Sequence, residues 1–139
     1  MHFTKLVASG NDFILLDLRN KNKIVNLNKI TKLICNRKFG IGADGLLVLE
    51  KSKKTDVRMR IFNADGSEAE MCGNGARCVA YFIAKNKISI ETKAGVLNAE
   101  VNKDNVKINL TEPKNIKLDL TINLNKHPLH VNFVNTGSF

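Results

Sequence analysis

The sequence predicts an α+β fold, with two helices among many strands that are mostly antiparallel. Two segments space their apolar residues at the i, i+3, i+4 interval of a helix. Short apolar or alternating stretches, bounded by turn-forming residues, recur along the rest of the chain and predict strands. The 139 residues are 43% hydrophobic and 25% charged, which is the size and composition of one ordinary globular domain.

The first half of the chain begins with a strand, a turn and a second strand. The strands are predicted over 3–7 and 13–18, and residues 9–12 between them (Ser-Gly-Asn-Asp) are turn formers. A compact apolar run over 46–49 predicts a buried strand, and the alternating pattern of 57–62 predicts a half-buried one.

The two helices are predicted over 28–36 and 76–85. The apolar face of the first consists of Ile30, Leu33 and Ile34, and that of the second of Ala76, Val79, Ala80 and Ile83. Asn26 or Asn28 is the candidate N-cap of the first helix, and Gly40 follows its end.

Strands follow the second helix, and they are predicted over 88–92, 96–102, 106–111, 117–124 and 130–134. The Asn102–Asn105 segment predicts a hairpin turn. The segment His127-Pro-Leu-His130 is predicted to be a loop that leads into the last strand.

The chain carries 22 Lys and Arg against 13 Asp and Glu, a net charge of +9. The basic residues are spread along the whole chain, Trp is absent and Tyr81 is the only tyrosine, so the aromatic and Arg-rich surface of a nucleic-acid binder is not present. A basic RNA-binding domain is therefore the most remote alternative. The positive field equally favours a small acidic substrate.

The three cysteines exclude a complete disulfide framework. The longest apolar runs are far too short to span a bilayer, and the N-terminus lacks the apolar stretch of a signal peptide. These features predict a reducing, cytoplasmic setting without a membrane partner.

The segment Gly40–Gly45 matches the G-x-G-x-x-G pattern of dinucleotide-binding folds. That pattern works after a strand and at the start of a helix, where the helix N-terminus receives the pyrophosphate. Here a predicted helix precedes the glycines and a predicted strand follows them. The pattern therefore predicts a tight helix-to-strand connection and no nucleotide cofactor.

The segment that carries chemistry is Met71-Cys72-Gly73-Asn74-Gly75, directly ahead of the second helix. A helix N-terminus offers unpaired N–H groups and a partial positive charge, and glycines let a ligand approach that backbone closely. The segment thus predicts a site for the carboxylate of an amino acid, with the thiol of Cys72 beside it. The alternative for Cys72 is a buried structural cysteine.

A free cysteine thiol is only about one-tenth ionised near pH 7.5, and a helix N-terminus adds only about 0.3–1 kcal/mol. Cys72 is therefore a modest base that needs a second influence. Cys35 and Cys78 lie inside predicted helices and are expected to be small core residues. No spacing of Cys or His residues predicts a metal site. A Cys–His hydrolase stays open only if His2, His127 or His130 reaches Cys72.

Four separated motifs give the chain a specific resemblance to a known family. They are Gly10-Asn11-Asp12-Phe13, Arg37 with Gly40-Ile41-Gly42-Ala43-Asp44-Gly45, Asn63-Ala64-Asp65-Gly66-Ser67, and Cys72-Gly73-Asn74-Gly75-Ala76-Arg77-Cys78. With these motifs in this order the chain resembles the N-terminal half of the diaminopimelate epimerases.

The resemblance implies an isomerase that interconverts LL- and meso-diaminopimelate without pyridoxal phosphate or metal, by proton transfer between two thiols. It implies that Cys72 is one of those thiols and that Asn11, Asn63, Gly73 and Asn74 bind the substrate. It also implies a strand-wrapped central helix, and it leaves room for a homodimer of the complete protein.

The resemblance further implies that residues 1–115 form the N-terminal domain and that 116–139 open a second, similar domain. The second thiol and a Glu-Arg pair belong to that second half in the family, so the 139 residues alone are expected to be inactive. The alternatives are another isomerase of the superfamily, proline-racemase-like or phenazine-biosynthesis-like, or a truncated binding domain without turnover.

Overall fold

The computed structural model describes residues 2–20, 26–110 and 112–136. The described residues form two helices, α1 (Leu27–Cys35) and α2 (Gly73–Ile83). They also form ten strands: β1 (Thr4–Ala8), β2 (Asn11–Asp17), β3 (Gly45–Glu50), β4 (Val57–Asn63), β5 (Glu68–Ala69), β6 (Lys87–Thr92), β7 (Gly95–Asn102), β8 (Asn105–Asn109), β9 (Lys114–Leu124) and β10 (His127–Asn135). Position 111, which ends one predicted strand, and the C-terminal Gly137, Ser138 and Phe139 lie outside the described residues.

Eight of the described strands form one sheet in the order β1-β2-β3-β4-β6-β7-β8, with the short β5 added to β4. The β2–β3 and β4–β6 pairs are parallel and the other pairs are antiparallel, which confirms the predicted α+β class. In the β2–β3 pair Phe13 lies opposite Gly45. Because the two strands are parallel, both start at the same end of the sheet, and the residues that precede Phe13 and Gly45 are neighbours.

Helix α2 is the central helix around which the sheet curls. It contacts β1, β4, β7 and β8. Its buried residues are Gly75, Ala76, Cys78, Val79 and Ala80. The helix begins three residues before its predicted start at Ala76, because Cys72 caps it and the Gly-Asn-Gly segment forms its first turn.

Helix α1 covers the opposite face of the sheet, against β3 and β4. Strand β3 is consequently buried on both faces, with Leu47 and Leu49 in the core around α2 and Leu46 and Val48 in the core beside α1. Such a strand reads as a continuous apolar run, which is how the sequence presents it.

The predicted cap of α1 is confirmed in one of its two versions, since Asn26 Oδ1 accepts a hydrogen bond from the Lys29 N–H at 3.2 Å. The predicted apolar face is wrong at Leu33, which is 62% exposed. The helix instead buries Leu27, Thr31 and Cys35. The hydroxyl of Thr31 is satisfied inside the core because it donates to the Leu27 carbonyl at 2.8 Å.

Strands β9 and β10 form a two-stranded antiparallel sheet of their own. The segment from His127 to His130 is part of β10, so its prediction as a loop is wrong. Most side chains of this hairpin are exposed, among them the apolar Leu118, Ile122, Leu124 and Leu129. In the described part of the chain, neither helix is long and apolar enough to cross a membrane.

Candidate active site

Cys72 is the N-cap of α2, and its thiol faces the end of the helix. Its backbone is extended, and its Sγ accepts a hydrogen bond from the Gly75 N–H at 3.4 Å. Its carbonyl accepts the Ala76 N–H at 2.9 Å. The half-buried sulfur therefore lies in the partial positive charge of the helix N-terminus, as the sequence predicts.

The first turn of α2 has two glycines with different surroundings. A Cβ atom on Gly75 would lie 2.8 Å from Cδ2 of the buried Leu47, so glycine is what allows the helix to approach β3. A Cβ atom on Gly73 would meet only Cδ2 of Leu110, at 3.5 Å. The N–H groups of Gly73 and Asn74 have no acceptor within the helix and can serve an anion.

Asn11 reaches this helix from the β1–β2 hairpin. The turn consists of Ser9 (φ 51°) and Gly10 (φ 78°), the two positive φ angles of a type I′ turn. Asn11 and Asp12, predicted as turn residues, therefore begin β2. The Oδ1 atom of Asn11 lies 3.9 Å from Cys72 Sγ and 3.3 Å from Nδ2 of Asn74.

Asn63 is the last residue of β4, and a closed turn follows it. Its carbonyl accepts the Gly66 N–H at 2.8 Å, and its Nδ2 donates to Ser67 Oγ at 3.0 Å. The Ala64 N–H donates to the Asp44 carbonyl at 3.2 Å, which fastens this turn to the start of β3. Asn63 is thus held at the same end of the sheet as Asn11.

A small cavity of about 130 Å³ lies between these elements. Its lining includes Asn11, Asp44, Asn63 and Cys72. Gly73 and Asn74 follow Cys72 directly, so the structure brings all five residues singled out in the sequence to one place. Their roles in catalysis and substrate binding stay predictions.

A cluster of ion pairs lies beside the cavity, where β2 and β3 begin. The guanidinium of Arg37 bonds to Asp12 at 2.7 Å and to Asp44 at 2.8 Å, and Lys5 bonds to Asp12 at 2.8 Å. The hydrogen bonds from Arg37 and then Lys5 hold the pKa of Asp12 well below its usual range. The hydrogen bond from Asn11 is the main cause of the lowered pKa of Asp44.

Asp44 lines the site, although no motif of the sequence predicts a role for it there. The available signal was that an acidic residue lies just ahead of two predicted strands: Asp12 ahead of 13–18, and Asp44 ahead of 46–49. That signal becomes specific only when the two strands are known to be parallel neighbours.

The other two cysteines are core residues, as predicted. Burial raises the pKa of the Cys35 thiol and raises the pKa of the Cys78 thiol to about 11. Cys78 borders a larger, open groove of about 530 Å³ between β1 and β8, which Arg77 and Tyr81 also line. No group of three or more His, Cys, Asp or Glu residues within 2–20, 26–110 and 112–136 is arranged to hold a metal ion.

Solved structures with similar folds include a probable proline racemase and a hydroxyproline epimerase. A probable proline racemase from Agrobacterium radiobacter matches with a TM-score of 0.70 at 11% identity, covering 95% of this chain and 48% of that one. A hydroxyproline epimerase from Agrobacterium vitis matches with a TM-score of 0.67 at 13% identity, covering 95% and 48%. At such low identities these likenesses establish the fold alone.

The sequence relatives are closer. The family model for diaminopimelate epimerase matches residues 3–116. The diaminopimelate epimerase of Carboxydothermus hydrogenoformans is 42% identical in an alignment of 140 positions, which covers 94% of this chain and 51% of the relative. That of Caldanaerobacter subterraneus is 49% identical in an alignment of 114 positions, which covers 78% of this chain and 40% of the relative. The chain spans about half the length of the curated relatives it matches, and it belongs to the diaminopimelate epimerase family.

Proposed function

We propose that this chain supplies one of the two proton-transfer groups and half of the substrate site of a diaminopimelate epimerase. The reaction is the interconversion of LL- and meso-diaminopimelate. The observation that carries the proposal is the placement of the Cys72 thiol at the N-terminus of α2, 3.9 Å from the Asn11 oxygen and inside a polar cavity.

In this proposal the thiolate of Cys72 removes the α-proton of the substrate. The Cα–H bond breaks, an S–H bond forms, and the electron pair is delocalised into the adjacent carboxylate. The N–H groups of Gly73 and Asn74 bind that carboxylate, where the partial charge of the helix stabilises the developing negative charge. The side chains of Asn11 and Asn63 orient the rest of the amino-acid head.

Inversion of the carbon centre needs a second group that delivers a proton to the opposite face. Neither Cys35 nor Cys78 is suited to this, because both are buried in the core. We assign that role to a thiol from the remaining half of a family member. Two thiols are sufficient for the exchange, so the proposal includes neither pyridoxal phosphate nor a metal.

We further propose that residues 1–115 are the first domain and that 116–139 open the second. The support is that β9 and β10 pair in a sheet separate from the main one, although β9 begins at Lys114, two residues ahead of the proposed boundary. Its exposed apolar residues Leu118, Ile122 and Leu129 would become the core of a second sheet. The homodimer and the cytoplasmic setting also remain part of this proposal.

The experiment follows exchange of the substrate α-proton in D₂O, with a protein that joins these residues to the C-terminal half of a family member. We expect deuterium incorporation and inversion of LL-diaminopimelate, and neither reaction with L-proline or trans-4-hydroxy-L-proline. Turnover of proline compounds alone would favour the proline-racemase-like alternative. Binding of diaminopimelate without any exchange would favour a non-catalytic domain.

A further inference from the structure

The side-chain amides of Asn11 and Asn74 form a chain of hydrogen bonds beside Cys72. Nδ2 of Asn11 donates to Asp44 Oδ2 at 2.8 Å, and Nδ2 of Asn74 donates to Asn11 Oδ1 at 3.3 Å. Oδ1 of Asn74 in turn accepts a hydrogen bond from the guanidinium of Arg77. Each amide therefore has its oxygen and its NH₂ group engaged by a different partner.

The two ends of this series of hydrogen bonds, Asp44 and Arg77, can each bond in only one direction. An ionised carboxylate accepts hydrogen bonds and cannot donate, whereas a guanidinium donates and cannot accept. If the Asn11 amide turned over, its oxygen would face the oxygen of Asp44 and its NH₂ group would face the NH₂ group of Asn74. The two charged ends thus select a single orientation for both amides.

Asp44 is itself firmly held. Its Oδ2 also accepts the Asp12 N–H at 3.0 Å, and its Oδ1 accepts from Arg37 at 2.8 Å. Its pKa is lowered, first by the Asn11 hydrogen bond, so the carboxyl group stays ionised below the usual range of an aspartate as well as at neutral pH.

We propose that Asp44 is a positioning residue that acts through Asn11, because it holds the Asn11 side-chain oxygen towards the Cys72 thiol. The Gly75 N–H can donate to a thiolate at this position, while the Asn11 oxygen can accept from a protonated thiol. A thiol with one partner for each state suits a group that takes up and returns a proton. The catalytic role of Asp44 rests on the proposed function, whereas the orientation of the Asn11 amide does not depend on it.

Several charged and titratable groups surround the thiol, and a test must separate them from the amide. Arg77 and Cys78 lie on α2 itself, while Asp12, Asp44, Lys5 and Arg37 form the cluster across the cavity. Removal of Asp44 therefore changes the local charge as well as the Asn11 hydrogen bond. A double-mutant cycle with Asn11 isolates the second effect.

The experiment measures alkylation of Cys72 by iodoacetamide in the 139-residue chain, followed by peptide mapping across a range of pH. Asp44→Asn removes one of the two charged ends that fix the Asn11 amide, because the new side-chain amide can turn its own NH₂ group towards an Asn11 oxygen. Only the hold of Arg77 on Asn74 then opposes a turn of the Asn11 NH₂ group towards the sulfur. We expect the rate at pH 7 to rise roughly threefold to tenfold, as for one altered hydrogen bond of ordinary strength, and the midpoint of the pH–rate profile to fall. In an Asn11→Ala background the same substitution should change the rate less than about twofold, because no amide remains to be turned.

The matched control is Asp56→Asn, which also removes an ion-paired carboxylate but lies beyond the far end of β4, about 20 Å from Asn63 at the rise of a strand. It should leave the alkylation profile unchanged. An unchanged or slower rate in Asp44→Asn would overturn the proposal. An equal acceleration in both backgrounds would also overturn it, because the effect would then be one of charge through space.

A measurement on the unsubstituted chain covers the case in which Asp44→Asn does not fold. In a ¹⁵N,¹³C-labelled sample, an Asn11 Nδ2 proton should shift together with the Asp44 carboxyl carbon during acid titration. Independent titration of the two signals would overturn the proposal. Neither readout involves epimerisation, so a failure of the proposed function would leave this test intact.

Discussion

The side-chain oxygen of Asn11 lies 3.9 Å from the sulfur of Cys72, although the two residues are 61 positions apart in the sequence. The contact exists because β1 packs against α2, which brings the β1–β2 turn next to the start of that helix. Arg77 of the helix donates to Ser9 Oγ of the turn at 3.2 Å. The geometry of the site thus depends on how one hairpin docks on one helix.

The first prediction is that Cys72 is the most reactive thiol of the folded chain. Cys35 and Cys78 are only 2% and 3% exposed, and burial raises the pKa of both thiols, whereas Cys72 is half-buried at a cavity. Limited alkylation under native conditions should label Cys72 first, and denaturation should equalise the three rates. Preferential native labelling of either buried cysteine would contradict the assignment.

The second prediction concerns Cys72→Ser in a protein that also contains the C-terminal half. Serine has nearly the same size but is not a base at neutral pH, so epimerisation should fall by about 10²–10⁴-fold, the usual contribution of a general acid or base. Circular dichroism should show an unchanged fold. The control is Cys35→Ala, which should retain activity; a Cys72→Ser protein with normal α-proton exchange would remove Cys72 from the mechanism.

The third prediction separates the two glycines of the first helical turn. Gly75→Ala forces a methyl group to within 2.8 Å of Cδ2 of the fully buried Leu47, which should destabilise the fold by about 1–3 kcal/mol. Gly73→Ala has room and should unfold at nearly the same urea concentration as the unsubstituted chain. Equal destabilisation by the two substitutions would show that the packing of α2 on β3 is not as tight as described.

The fourth prediction is a loss of stability in acid. Hydrogen bonds from the Ser89 N–H and the Lys85 ammonium lower the pKa of Asp56 from 3.8, as Arg37 and Lys5 do for Asp12. A depressed pKa in the folded state gives stability that is complete at neutral pH and is lost as the pH falls below about 4.

Urea unfolding between pH 7 and pH 2 measures this loss. Asp56→Asn should be less stable at pH 7 and should lose less stability on acidification. The control Lys107→Gln, an exposed substitution on β8, should keep the original pH dependence. A parallel pH dependence in Asp56→Asn would show that Asp56 makes no such contribution.

Much of the fold and the location of Cys72 could be predicted from the sequence, because both depend on local patterns. Apolar spacing located both helices, and the Gly-Asn-Gly segment placed Cys72 near a helix start. The start of α2 was predicted three residues too far along the chain, because glycines disfavour a helix interior. Only the cap geometry of Cys72 shows that these glycines form the first turn. The exposure of Leu33 could not be predicted from spacing, because it depends on which side of α1 meets the sheet.

The bond between Asn11 and Asp44 could not be predicted at all. It requires β2 and β3 to be parallel neighbours with Phe13 opposite Gly45, and no local pattern encodes that register. The interaction is a consequence of the tertiary structure, as is the approach of Asn11 to Cys72.

The most direct test of the central claim is complementation between halves. Residues 1–139 are mixed with the separately expressed C-terminal half of the Carboxydothermus hydrogenoformans enzyme, and LL-diaminopimelate is followed by chiral chromatography and deuterium incorporation. We predict inversion with the mixture, none with residues 1–139 alone, and none when the mixture carries Cys72→Ser. Inversion by residues 1–139 alone, or equal inversion by the mixture with Cys72→Ser, would contradict the two-thiol account.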